Sequence, residues 1–248
     1  MRLKRKLAAF CLFSTGIAWI SGSAMAWAAG QQFSTEVGIR YETGDYGTDE
    51  TTDTWSVPLT FRYSPIEKLD FELYMPFYRT SNTNTSIAGG MHGQGEESQQ
   101  IVETTESGIG LGDASLTTGY TLIPESAYMF SVRPLFYVKF PTGDEDDGLG
   151  TGGFDFGGGL SVSKWLGAWR TYAEVLYITP EESDTLDLED YWSYSSSLGY
   201  ALTDRLRPEI SLAGSTNPFV GADDVQSLEL ALMYWPADKI RMQGYVSF

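Results

Sequence analysis

Apolar and polar residues take turns along most of this chain. In "WSVPLTFRY", Trp55, Val57, Leu59, Phe61 and Tyr63 hold one set of alternate places, and Ser56, Pro58, Thr60 and Arg62 hold the other. "FSTEVGIRY" sets Phe33, Val37, Ile39 and Tyr41 against Ser34, Glu36, Gly38 and Arg40. "LDFELYMPF" sets Leu69, Phe71, Leu73, Met75 and Phe77 against Asp70, Glu72 and Tyr74. The longest run, "YMFSVRPLFYVKF", places Tyr128, Phe130, Val132, Phe136, Val138 and Phe140 opposite Ser131, Arg133, Tyr137 and Lys139. Weaker alternations begin near Ala114, Phe154, Thr171, Trp192, Leu206 and Leu228, and "KIRMQGYVSF" closes the chain in the same way. Period two marks a strand with one greasy face and one polar face. Two features oppose the assignment. Pro58, Pro76, Pro134 and Pro208 fall inside predicted strands, where each deletes a ladder donor, and Gly157, Gly158 and Gly159 weaken another. Bulges are the expected remedy.

The connections are sorted. "SPIEK", "IPES", "KWLGA", "TD" and "PADK" are short; between them lie the longer segments 43–54, 80–110, 141–153, 180–190 and 216–224. Strict alternation of short and long describes an up-and-down meander with tight turns at one rim and loops at the other. A soluble β-sandwich alternates its faces but does not sort its loops. The predicted fold is all-β: a transmembrane antiparallel up-and-down β-barrel of about 12 strands, of which 11 are counted. An odd count leaves the first and last strands parallel. Either the barrel lacks a strand at its seam, or segment 80–110 hides one. A strand hidden there would move every later acidic loop to the other rim, which favours the incomplete seam.

The first thirty residues read as an export signal. Arg2, Lys4, Arg5 and Lys6 precede a 14-residue apolar run at 7–20, shorter than the ~20 residues of a spanning helix. An A-x-A site at Ala24, Met25 and Ala26 predicts a signal peptide over 1–26, with a second candidate site ending at Ala28, and a barrel over 27–248. Cleavage removes Cys11, so neither disulfides nor thiolate metal sites remain. It also removes four cations, which takes the formal charge from −17 to −21. That charge argues against nucleic acid, and the absence of any later 18-residue apolar run excludes a helical membrane protein.

In a membrane the greasy faces point to lipid. Tyr41, Trp55, Tyr63, Tyr120, Tyr128, Phe140, Tyr177, Trp192, Tyr200 and Tyr234 then stand near strand ends, where aromatic girdles belong. The polar faces line the interior. The candidate lumen residues are Arg62, Asp70, Glu72, Tyr74, Asp113, Arg133, Tyr137, Lys139, Arg170, Glu174, Arg205, Arg207, Glu209 and Glu229, with Glu36, Arg40, Tyr78, Tyr172 and Tyr191 on the same faces. Mixed charges and hydroxyls suit a wet passage; paired across strands, they equally suit a plug.

The five long segments hold 20 Asp and Glu and no Lys or Arg. "DEDD" at Asp144, Glu145, Asp146 and Asp147 is a candidate cation-binding loop, although its spacing is not that of an EF-hand. A solvated, aggregation-resistant loop explains it as well. Catalysis has little to work with. The single histidine, His92, lies in the Gly-rich "AGGMHGQGEES", and Asp70 and Glu72 share a face only because strands repeat every two residues. No P-loop, dinucleotide or zinc spacing is present, so neither an enzyme nor a cofactor is expected.

Three stretches together carry a resemblance. "GDYGTDETTDTWSVPLTFRYSPIEKLDFELYMPF", "GIGLGDASLTTGYTL" and "VKFPTGDEDDGLGTGGFDFGGGLSVSKWLG" resemble the MetA-pathway of phenol degradation family over about residues 33–235, with "GLGD" and "FPTGDEDDGLGTG" the most specific. The resemblance implies an exported outer-membrane β-barrel of a Gram-negative bacterium that moves small, often aromatic, molecules, and it transfers no catalytic residues. The expected partners are outer-membrane lipid, lipopolysaccharide, the outer-membrane assembly machinery and a small solute. The alternative is a plugged structural or adhesive barrel whose acidic loops bind divalent cations.

Overall fold

The computed structural model describes residues 21–22, 32–44, 52–80, 86–87, 99–100, 109–145, 147–181, 188–216, 224–237 and 240–248. The alternating segments are strands: β1 (Ser21–Gly22), β2 (Gln32–Val37), β3 (Arg40–Gly44), β4 (Thr52–Ile66), β5 (Leu69–Thr80), β6 (Ser86–Ile87), β7 (Gln99–Gln100) and β8 (Ile109–Leu111). They continue with β9 (Ala114–Tyr120), β10 (Ser131–Phe140), β11 (Asp155–Leu166), β12 (Trp169–Pro180), β13 (Tyr191–Tyr200), β14 (Leu206–Ser215), β15 (Val225–Ala237) and β16 (Ile240–Ser247). One antiparallel sheet runs β1-β16-β15-β14-β13-β12-β11-β10-β9-β5-β4-β2, with β3 also on β4 and β8 also on β5. Since β2–β3 and β8–β9 are two interrupted strands, the wall has eleven full crossings among the described residues, and β1 is added at one edge. Within segment 80–110, β6 and β7 pair only with each other, so among the described residues no hidden strand enters the wall before β8.

The prolines explain the interruptions. Pro58 and Pro76 face each other across β4 and β5. The β2–β3 break lies opposite Pro58, whose carbonyl accepts from Gly38 N at 3.1 Å but which has no N–H to return. The β8–β9 break lies opposite Pro76, where Gly112 N donates to the Pro76 carbonyl at 2.9 Å and the register shifts by one residue, a bulge. Pro134 sits just past the end of the β9–β10 ladder at Leu135↔Gly119, and Pro208 just past the end of β13–β14 at Gly199↔Glu209. Each missing donor falls where no ladder needs it.

The outward face is apolar, with Phe61, Phe136, Leu160, Val175, Leu198, Ile210, Leu212, Leu230 and Leu232 all exposed. Directly opposed aromatic pairs ring both rims: Phe33–Tyr63 and Trp169–Tyr200 at the short-turn rim, and Tyr41–Trp55 and Tyr177–Trp192 at the long-loop rim, with centroids 4.5–4.8 Å apart. Rim tyrosines turn their hydroxyls to loop carboxylates, Tyr41 to Asp53 at 2.9 Å and Tyr177 to Asp190. Such girdles flank a hydrocarbon band.

One strand starts well after its alternation does. β10 begins at Ser131 rather than Tyr128, and Tyr128 is 94% exposed in the connection before it. Ser126 and Met129 close a turn there, through Ser126 N to Met129 O at 3.1 Å and Met129 N to Ser126 Oγ at 3.2 Å, and serine's preference for such turns outweighs the alternation.

The seam lies between β2–β3 and β16. Successive antiparallel neighbours make these two run parallel, and among the described residues no backbone ladder joins them. β1 pairs with the start of β16 through Ser21↔Arg241 and Gly22↔Ile240. Inward side chains bridge the seam further along, Arg241 to Glu36 and Arg40 Nε to the Tyr245 hydroxyl at 2.7 Å.

Candidate lumen and its closure

Two regions fill the barrel. The short-turn half encloses a cavity of about 430 Å³ whose lining includes six arginines (40, 62, 133, 170, 207 and 241) and six carboxylates (36, 70, 72, 174, 209 and 229). Opposite signs stand side by side. Arg62 meets Glu72 directly across β4–β5, Arg133 meets Asp70, and Arg207 lies 3.5 Å from Glu209. The Tyr172 hydroxyl donates to Glu174, and Arg170 lies 3.3 Å from Glu125. Part-exposed pairs of this kind contribute about 0–1 kcal/mol each. They make the cavity polar and charge-balanced rather than hold the fold together.

The long-loop half is shut. Lys139, with none of its side chain exposed, stands 2.9 Å from Asp155 and 3.3 Å from Asp113 and donates to Thr151 Oγ1. The Tyr191 hydroxyl donates to Asp155 at 3.3 Å. Charges this deep persist only when paired. Asp113 lies in the bulge opposite Pro76 and also accepts from Gly143 N at 2.9 Å and Thr151 N at 3.1 Å. The Thr142 hydroxyl donates to the Gly112 carbonyl at 2.9 Å and accepts from Ala114 N at 2.8 Å. Residues 148–151 are thereby folded inward, with Leu149 buried against Tyr78. The approach requires glycine. A Cβ on Gly143 would lie 2.2 Å from the Leu149 carbonyl oxygen, and one on Gly150 would lie 2.5 Å from Asp113 Oδ1.

Beneath this latch Leu135, Tyr137, Leu176, Ile178 and Tyr191 form a buried apolar cluster. Its space comes from Gly157 and Gly159, which pair with Tyr137 and Leu135 on one side and with Ile178 and Leu176 on the other. A Cβ on Gly159 would lie 1.9 Å from the Val175 carbonyl oxygen. The glycine run that weakens β11 as a strand makes room for the plug.

Of the candidate lumen residues, Arg62, Asp70, Glu72, Tyr74, Arg133, Arg170, Glu174, Arg207, Glu209 and Glu229 line the cavity. Asp113, Tyr137 and Lys139 belong to the closure. Arg205 is in neither; it lies exposed in the turn before β14 and donates to the Pro236 carbonyl at 3.3 Å. Asp144, Glu145 and Asp147 are exposed, and Asp144 Oδ1 accepts from Asp147 N at 3.3 Å as in a simple turn. Asp146 and His92 lie outside the described residues. Among the described residues no three His, Cys, Asp or Glu side chains gather as a metal site. Thr142, Thr151 and Asp155 do not stand out in the sequence, because "FPTGDEDDGLGTG" draws attention to its carboxylates while its threonines and glycines make the latch.

Residues 66–227, which contain both halves of that latch, match the MetA-pathway of phenol degradation family. The chain belongs to this family. No curated protein sequence matches it. Among solved structures, the COG4313 outer membrane channel from Pseudomonas putida F1 aligns with TM-score 0.54 at 15% identity, covering 95% of this chain and 94% of that one. The TodX monoaromatic hydrocarbon channel deltaS2 mutant aligns at 0.44 and 12% identity, covering 95% and 88%. BamA from Haemophilus ducreyi lacking POTRA domains 1–3 aligns at 0.40 and 9%, covering 95% and 62%. By fold this family member is an outer-membrane β-barrel.

Proposed function

We propose that this barrel is a passive channel of the Gram-negative outer membrane for a small solute with aromatic or otherwise hydrophobic character, opened by withdrawal of the docked segment 141–154. The main support is the cavity itself: a charge-balanced, polar interior sealed at one end by a docked loop rather than by the wall. Family membership supports an aromatic cargo, and the Pseudomonas putida relative of the same fold is named a channel. Export by a signal peptide over 1–26, whose cleavage would remove β1 from the seam, belongs to the same proposal. So do insertion by the assembly machinery, contact with lipopolysaccharide and a role without catalysis. Purified protein in planar bilayers should give conductance steps, and liposomes containing it should admit small aromatic solutes. A second reading, a sealed barrel displaying acidic loops, draws on the burial of Lys139 between two aspartates. It predicts silence in both assays together with chelator-sensitive surface association.

A further inference from the structure

Arg207 is poorly satisfied for an enclosed guanidinium. Nη2 donates to the Met233 sulfur at 2.9 Å, and Nε is buried and makes no hydrogen bond, its nearest carboxylate being the ion-pair partner Glu209 at 3.5 Å. A guanidinium carries five donors and thioether sulfur is a weak acceptor, so strong donors are left over. The group is nevertheless held firmly. Its central carbon lies 5.1 Å from the Trp235 ring centre and 5.8 Å from that of Trp165, and Arg170 lies 5.7 Å from Trp165 on the neighbouring strand. Glu125 braces this side, accepting from Trp165 N at 2.9 Å and from Arg170 at 3.3 Å. Gly199 leaves the room, since a Cβ there would lie 2.9 Å from Arg207 Cδ. All of these positions are at the short-turn ends of their strands, and both arginines line the cavity.

We propose that this corner is a binding site for a small aromatic carboxylate, whose oxygens take the spare donors of Arg207 and whose ring packs against the tryptophans. As a station on a path the site rests on the channel reading above; as a binding site it does not. Charge sets the side from which it fills. The long segments hold 20 acidic residues and no basic ones. Roughly ten strand residues at ~3.3 Å each separate the two rims, about four Debye lengths at physiological salt. The acidic rim therefore repels an anion at its own entrance without cancelling the arginines at the other, and the site loads from the short-turn side.

Calorimetric titration of the detergent-solubilised protein with sodium benzoate, sodium acetate and benzyl alcohol tests the site without needing an open pore. Benzoate should bind at least tenfold more tightly than either control. Arg207→Gln and Trp235→Ala should each weaken it at least tenfold, and Arg207→Lys should fall between, with folding of each variant checked by its heat-dependent gel mobility. Equal binding of benzoate and acetate, or unchanged benzoate affinity in both Trp235→Ala and Arg207→Lys, overturns the proposal. In bilayers, benzoate should block potassium chloride current at lower concentration from the short-turn side. A conducting protein indifferent to benzoate removes the site and keeps the channel. A silent protein that binds benzoate through Arg207 keeps the site and removes the channel.

Discussion

Glu36 and Arg241, 205 positions apart, form an ion pair across the seam, and Arg40 and Tyr245 meet across it with the same separation. A constant difference in number is what two parallel strands produce. The seam of this barrel is thus aligned in register although no backbone ladder joins its sides among the described residues. In hydrocarbon unpaired backbone groups are costly, so these side chains carry a task that hydrogen-bonded strands perform elsewhere in the wall.

The first prediction concerns that task. Glu36→Gln and Arg241→Gln should each lower the unfolding midpoint, and a double-mutant cycle in folded micelles should return a coupling of about 1 kcal/mol, as for a part-exposed charged pair. A coupling of zero would mean that something else holds the seam.

Lys139→Met should be far more damaging. It leaves Asp113 and Asp155 buried without their shared cation, and breaking a buried ion group from one side costs about 3–5 kcal/mol. Adding Asp113→Asn and Asp155→Asn to the same chain should restore much of the loss. Urea titrations of the single and triple variants check this.

Gly143→Ala should undock segment 141–154 without disturbing the wall, because the added methyl meets backbone rather than a movable side chain. The expected readout is a higher open probability in bilayers at an unchanged heat-dependent gel shift. Gly150→Ala, which presses on the Asp113 carboxylate, should act in the same direction but more weakly.

Lipid orientation is tested by a pair of charges. Leu212→Arg places a cation on the outward face in mid-strand and should cost about 2–4 kcal/mol. Ser195→Lys, which faces the cavity, should cost much less. Similar losses for the two would contradict the assignment of faces.

The strands and their two faces are legible in the sequence because one physical rule, period two against lipid, governs each of them independently. Sorted connections add the meander for the same reason. Tyr128 escapes that rule because a local serine turn competes with it. The latch escapes it altogether: Asp113 and Thr151 are 38 residues apart, and nothing in the alternation says that a polar loop will turn inward and give its amides to a bulged aspartate. Trp165 reads as part of the short turn 164–168, whereas β11 runs three residues into it, to Leu166, and the Trp165 ring lies beside Arg207. The four prolines look like objections until their neighbours are known.

Gly157 and Gly159 carry one more consequence. Along that stretch β11 offers no side chain of its own to the interior, and the space is taken by Leu135 and Tyr137 from one neighbouring strand and Leu176 and Ile178 from the other. The packing of these borrowed side chains, rather than the wall, then decides how tightly the region beneath the latch is filled. Tyr137→Ala should leave a cavity about as large as the ring it removes, still capped by the docked loop.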